Sequence, residues 1–293
     1  MFQADLLKGK RILVTGGGTG LGRAIAEKYL SLGAEIHICG RREAVLRRTA
    51  QELVAAQGGA VHAHAVDIRD ADAVDAMVAG IFAAHGPLTG LVNNAAGNFV
   101  SRTEDLSHRG FNAIADIVMR GTFYVTHSVG RRWIEAELPG SVVSIIVTWV
   151  FNAGPYVVPS AMSKSAVQSM THSLAVEWGG YGIRLNAIAP GVFPTEGAAA
   201  RLAPGEGMGW RADENPMKRT GQMHELQNLA AFLMADGVDW LTGQTIAIDG
   251  GNWLANGGNF FAYRNRTDAD WQRMRDEIKA RNEKDRAQRG PAA

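Results

Sequence analysis

The stretch Thr15-Gly16-Gly17-Gly18-Thr19-Gly20-Leu21-Gly22 follows an apolar, β-branched run, Arg11-Ile12-Leu13-Val14, and opens a segment of helical period, Gly22–Leu32. A strand that turns directly into a helix through glycines confines the chain to α/β architectures with crossover connections. Gly16 permits the tight turn, Gly20 lets a ligand's pyrophosphate approach the backbone, and Gly22 allows close helix packing. The helix start adds unpaired N–H groups and a positive dipole end. With Gly18, Thr19 and Leu21, these residues form a candidate dinucleotide cradle.

The remaining sequence repeats the same alternation. Strands are predicted at Arg11–Val14, Glu35–Cys39, Ala60–Ala65, Gly90–Asn93, Ser141–Thr148, Arg184–Ala189 and Gln244–Ile248. Helical segments such as Gly22–Leu32, Glu43–Ala56, Ala71–Ala84 and Ser160–Trp178 separate them. Strands this apolar, divided by helices, indicate a parallel sheet covered on both faces, a doubly wound Rossmann-type α/β domain. The expectation is one such domain over residues 1–258. Phe193 to Thr220, rich in Gly, Ala and Pro, reads as a lid over the ligand or as a plain surface insertion. Residues 259–293 read as a charged helical tail in which Trp271 docks on a neighbour or the helix stays solvated.

A formal net charge of +1 gives no reason to expect a nucleic-acid partner. The single cysteine, Cys39, excludes an internal disulfide and a cysteine-based zinc site, and no metal site is expected. Its apolar surroundings suit a buried hydrophobe in a reducing compartment. No run approaches the roughly 18 apolar residues of a membrane span. The first strand begins too early for a leader peptide, so a soluble cytoplasmic protein is expected.

The end of the second strand bears on the cofactor. An NAD site places a carboxylate there for the ribose 2′-hydroxyl, whereas an NADP site needs a cation for the 2′-phosphate. Here Gly40-Arg41-Arg42 precedes the first carboxylate, Glu43. Arginine's planar fork suits phosphate, so Arg41 favours NADP(H), although both arginines could simply solvate a helix start. Further on, Lys164 stands four residues after Ser160, and no tyrosine precedes any lysine by that spacing.

The glycine turn, Val66-Asp67, Asn93-Asn94-Ala95-Ala96-Gly97, Lys164, and Pro190-Gly191 followed by Thr195 together resemble the short-chain dehydrogenase/reductase family from about Leu7 to Trp253. Within it, Asn93–Phe99, Val157-Val158-Pro159-Ser160 and Pro194–Ala198 resemble the 2,4-dienoyl-CoA reductase branch, which typically lacks the tyrosine before the lysine. The resemblance implies that Asp67 holds the adenine and Asn94 lines the cofactor cleft. It implies that Lys164 binds the nicotinamide ribose, and that Pro190, Gly191, Val192, Phe193 and Thr195 hold the carboxamide. Arg69 and Arg201 match positions associated with the acyl-CoA, with surface charge as the alternative. A homo-oligomer, commonly a tetramer, is also implied.

Two positions depart from the branch. Trp149 stands eleven residues before Ser160, where the mitochondrial type carries a proton-donating tyrosine, and Arg120 replaces a helix asparagine that helps bind the thioester carbonyl. Val147 occupies the place of the ordinary family's catalytic serine. The expected chemistry is NADPH-dependent reduction of an acyl-CoA thioester, with Arg120 and Ser160 stabilising the dienolate oxygen. The proton would come from Tyr156, Ser160 or a water held by Asp116, with Lys164 lowering the pKa of a nearby hydroxyl. Phe99 and Trp149 would line the substrate pocket. The alternatives are an aromatic wall of Trp149 and Tyr156 without chemistry, and an Arg120–Asp116 pair on one helix. At the level of function they are a carbonyl or alcohol oxidoreductase, or an NADP(H)-binding protein of low turnover.

Overall fold

The computed structural model describes residues 1–195, 212–255, 263 and 265–289. It divides into two compact units, Met1–Trp253 and Leu254–Ala293. The first is built on β1 (Arg11–Thr15), α1 (Gly20–Ser31), β2 (Glu35–Gly40), α2 (Glu43–Gln57), β3 (Val61–Ala65), α3 (Ala71–His85) and β4 (Gly90–Asn93). It continues through α4 (His108–Ala115), α5 (Thr122–Glu135), β5 (Gly140–Ile145), α6 (Val158–Trp178), β6 (Ile183–Pro190), α7 (Met223–Met234) and β7 (Thr245–Ile248). Every strand pairing is parallel, in the order β3-β2-β1-β4-β5-β6-β7. The winding direction reverses between β1 and β4, which places the ligand crevice at the carboxyl ends of those strands.

Alternation along the strands sorts the core into two layers. Ile12 and Val14 of β1, Ile36 and Ile38 of β2, and Val143 and Ile145 of β5 pack with α1, α2 and α7 residues such as Tyr29, Leu53 and Met234. Leu13, Cys39, Leu91 and Val142 face the other way, against Val78 of α3 and Val129 and Trp133 of α5. Cys39 is fully buried in that second layer, and burial pushes its thiol up to about 12. The fold is therefore the doubly wound parallel sheet that the sequence pattern predicts.

Boundaries differ where the chain leaves the sheet. β5 stops at Ile145, three residues short of the predicted end, and Thr148–Val150 form a 3₁₀ turn. The apolar run continues past the strand because Ile146 packs with Val167, Ala187 and Ala189 in a separate small cluster. Between α4 and α5, residues Asp116–Gly121 form a π turn. Of the expected lid, residues 196–211 fall outside the described residues, and Arg201 with them.

In the second unit, α8 (Asp268–Arg289) starts at a reciprocal cap. Thr267 N donates to Asp270 Oδ2 at 2.9 Å, and Asp270 N donates to Thr267 Oγ1 at 3.3 Å. Trp271 meets the Tyr263 ring edge-on at 5.8 Å between centroids, and the Arg266 guanidinium lies 4.0 Å from the Tyr263 centroid.

Candidate functional site

The glycine turn is held open from below. Gly16 has φ +65° and Gly20 φ +57°, both left-handed. Gly16 N donates to Cys39 O at 2.8 Å, which ties the turn to the end of β2. A Cβ at Gly22 would press on Asn94 Nδ2 and lie 2.6 Å from Gly16 O. Asn94 Nδ2 donates to Thr15 O at 3.0 Å and to Gly16 O at 3.3 Å, so Asn94 braces the turn from the end of β4. Thr15 Oγ1 completes the brace, accepting from the backbone N–H of Asn94 at 2.9 Å and of Ala95 at 3.0 Å. Sequence reasoning misses Thr15. Its one signal is a hydroxyl residue that ends an apolar strand just before the first glycine.

Above this brace α1 begins without a side-chain cap and without an acidic residue in its first turn. Its leading N–H groups and dipole are thus available to an anionic ligand, and Gly16 and Gly20 leave backbone where a side chain would intrude. Arg41 and Arg42 lie exposed at the neighbouring end of β2, and Arg42 Nη2 reaches Thr19 Oγ1 at 3.5 Å. The donor set fits the pyrophosphate of a dinucleotide. The structure also joins two residues that the sequence reading separates: Arg69 Nη2 meets Asp67 Oδ2 at 2.5 Å, and Arg69 Nε lies 3.0 Å from both Asp67 oxygens. The Arg69 hydrogen bonds are the largest influence holding the Asp67 carboxyl below its ordinary range, and the Arg41 charge adds to them.

On the far side of the crevice, Pro159 sits in the first turn of α6, where its missing N–H costs nothing. Ser160 and Lys164, one turn apart, share the buried face of that helix. Lys164 Nζ donates to Ile145 O, the last residue of β5, at 2.5 Å. Burial lowers the ammonium to about 8 from its ordinary 10.5. Tyr156 lies just before α6 with a left-handed φ of +64° and is 59% exposed. Its carbonyl accepts from Ser101 N at 2.9 Å, which links the loops that follow β4 and β5. Trp149, on the 3₁₀ turn, packs beside Gly154, where a Cβ would lie 3.2 Å from the indole. Phe99 lies against the start of α4, 3.3 Å from where a Gly110 Cβ would stand.

Arg120 and Asp116 occupy the π turn and bind each other, Nη1 to Oδ1 at 2.9 Å. Arg120 is well exposed and borders a hollow of about 240 Å³ on the outer flank of α5 and α6, with Phe123 and Met170. Neither Ser160 nor Lys164 lines that hollow. The helix pair weighed in the sequence is thus the arrangement seen.

The segment after β6 closes over the turn. Gly191 N donates to Ile248 O at 3.0 Å, and a Cβ at Gly191 would meet Asp249. Val192 O accepts from Gly221 N at 2.9 Å, and Phe193 is buried against Gly221. The Thr195 methyl lies 3.8 Å from where a Gly20 Cβ would be, so Pro190–Thr195 and the glycine turn border one crevice.

Comparison with known proteins agrees with this geometry. A family model described as enoyl-(acyl carrier protein) reductase matches residues 16–252. A probable 2,4-dienoyl-CoA reductase of Caenorhabditis elegans, (3E)-enoyl-CoA-producing, is 44% identical over 260 residues, covering 86% of this chain and 83% of its own. A probable 2,4-dienoyl-CoA reductase of Bacillus subtilis, (2E)-enoyl-CoA-producing, is 38% identical over 247 residues, covering 84% of this chain and 97% of its own. The crystal structure of a short chain dehydrogenase from Bacillus anthracis superposes with a TM-score of 0.76 at 36% identity, covering 84% of this chain and 97% of that one. With a braced glycine turn, an open helix terminus and a buried lysine around one crevice, the chain belongs to the short-chain dehydrogenase/reductase family and is an oxidoreductase with a nicotinamide cofactor.

Proposed function

We propose that this oxidoreductase uses NADPH to reduce the conjugated double bonds of a 2,4-dienoyl-CoA thioester to a 3-enoyl thioester. The observation that carries this reading is the buried Ser160–Lys164 pair, a serine where a tyrosine acid would normally stand, in a chain similar to proteins named 2,4-dienoyl-CoA reductase, of which the nematode relative is named for a (3E)-enoyl product and the Bacillus subtilis relative for a (2E)-enoyl product. When bound, NADPH supplies a hydride to the δ-carbon of the dienoyl chain. The residues that would hold it are Gly16, Gly18, Thr19, Gly20 and Leu21 at the pyrophosphate, Arg41 at the 2′-phosphate and Asp67 at the adenine. Asn94, Lys164 and the run Pro190, Gly191, Val192, Phe193 and Thr195 would surround the nicotinamide half.

Ser160 would donate a hydrogen bond to the thioester oxygen, on which negative charge develops as the dienolate forms. Its burial keeps that donor preorganised and dry. Lys164 would orient the ribose hydroxyls and lower the pKa of a nearby hydroxyl by its charge. Protonation at the α-carbon then moves the remaining double bond between the β- and γ-carbons. Tyr156, at the mouth, is one source of that proton, and a water held by Asp116 is another. Arg120 would meet the oxygen only by exchanging Asp116 for substrate, so the geometry favours Ser160 as the principal donor. Phe99 and Trp149 would flank the acyl chain, and Arg69 the phosphates of the CoA. The proposal includes a homo-oligomer, a cytoplasmic setting and the 193–220 segment as a lid; no described helix is long and apolar enough to cross a membrane.

A steady-state assay with NADPH and 2-trans,4-trans-hexadienoyl-CoA tests the reading. Turnover yielding a 3-enoyl thioester is expected. Activity confined to free ketones or alcohols would replace it with a carbonyl oxidoreductase, and NADPH binding without turnover on any substrate with a cofactor-binding role.

A further inference from the structure

At the opposite end of the sheet from the crevice, four side chains converge. Glu35 and His37 share one face of β2, His62 stands beside His37 on β3, and His85 is the last residue of α3. Glu35 Oε1 lies 3.5 Å from His37 Nε2, 3.1 Å from His62 Nε2 and 3.3 Å from His85 Nδ1. The four ligand atoms all fall within 4.8 Å of one another. A tetrahedral ion with metal–nitrogen bonds of 2.0–2.1 Å requires its ligand atoms about 3.3 Å apart. Three of the six edges already have that length.

We propose that Glu35, His37, His62 and His85 form a structural zinc site that fastens β2, β3 and the end of α3 together.

The strongest independent observation is His37. The ring is fully buried, and its Nε2 has no hydrogen-bond partner. A buried polar nitrogen left unpaired is destabilising, and a cation between it and the Glu35 oxygen removes that cost. Its other nitrogen, Nδ1, lies 2.9 Å from His64 Nε2. This is the outer-shell contact that fixes tautomer and orientation in imidazole ligands. Arg11 holds the second carboxylate oxygen, Nε to Glu35 Oε2 at 3.1 Å and Nη2 at 3.0 Å, which leaves Oε1 directed at the imidazoles. His85 brings the negative end of the α3 dipole toward the cation. Three imidazoles and one carboxylate in a closed tetrahedron suit zinc and leave no open coordination position for chemistry.

The test uses the tag-free, full-length protein stripped with EDTA and titrated with ZnCl2 by calorimetry. One zinc per chain is expected, with a rise in thermal midpoint of about 5 °C at saturating metal. His62→Ala and His85→Ala, both at half-buried positions, should each weaken binding at least about 10-fold. His172→Ala, an exposed histidine on α6, should leave it unchanged. Cobalt substituted into the unaltered protein should show the intense visible bands of a tetrahedral ion, a readout that does not depend on the variants folding. Substoichiometric zinc uptake, His62→Ala or His85→Ala binding zinc as tightly as the unaltered protein, or a weak octahedral cobalt spectrum would each overturn the proposal.

Discussion

At the level of single residues, Lys164 is central to the crevice, and burial lowers its ammonium to about 8 from its ordinary 10.5. Between those values the unfolded chain holds a proton that the folded chain has released. Stability of the ligand-free protein should therefore rise from pH 8 to 10.5, and the cost of burying the charge should be fully present below pH 8. Denaturation across that range in the unaltered protein and in Lys164→Met checks this; the Lys164-dependent part of the slope should be absent in the variant. Lys164→Ala should also lower turnover by on the order of 10²-fold. Arg41→Ala should weaken NADPH by about 10-fold or more and leave NADH nearly unaffected, as paired binding titrations would show. Arg120→Met should reduce kcat/KM only a few-fold, because its guanidinium is exposed and already bound to Asp116. Ser160→Ala, which removes a buried donor, should cost about 10²-fold. Lys164 and Ser160 stood out in the sequence through the family resemblance, and the i, i+4 spacing puts both on one buried helix face. The sequence could not identify Thr15 as the brace of the turn, since that role depends on β4 lying beside β1.

At the scale of elements, the strand–turn–helix signal was legible because glycine is the residue that backbone reversal at Gly16 and close approach at Gly22 demand. Gly22→Ala should destabilise the domain by about 1–3 kcal/mol through overpacking against Asn94 and Gly16, measurable as a lower denaturation midpoint with unchanged m-value. Less legible was the end of β5. An apolar run cannot distinguish a strand from a chain that leaves the sheet and stays buried against α6, as Ile146 does. The π turn at Asp116–Gly121 had no sequence signal either, because its residues keep helical composition while the backbone gains one residue per turn.

At the scale of the whole molecule, the parallel sheet separates two ends with different physical tasks. Crossover loops at the carboxyl ends of the strands gather the glycine turn, Lys164 and the Pro190–Thr195 segment around one crevice. At the amino ends, Glu35, His37, His62 and His85 meet, although the first and the last are 50 positions apart in sequence. Alternation put Glu35 and His37 on one strand face, but strand order and the reach of α3 were needed to bring the others in. The two-layer core was legible in the central strands β1, β4 and β5, where successive residues are apolar on both faces. Reduction of 2-trans,4-trans-hexadienoyl-CoA with NADPH carrying deuterium at the transferable position shows where the hydride goes. A 3-enoyl thioester with deuterium at the δ-carbon and a solvent proton at the α-carbon is the expected result. A 2-enoyl product, deuterium on an alcohol carbon, or label retained in NADPH would contradict the account.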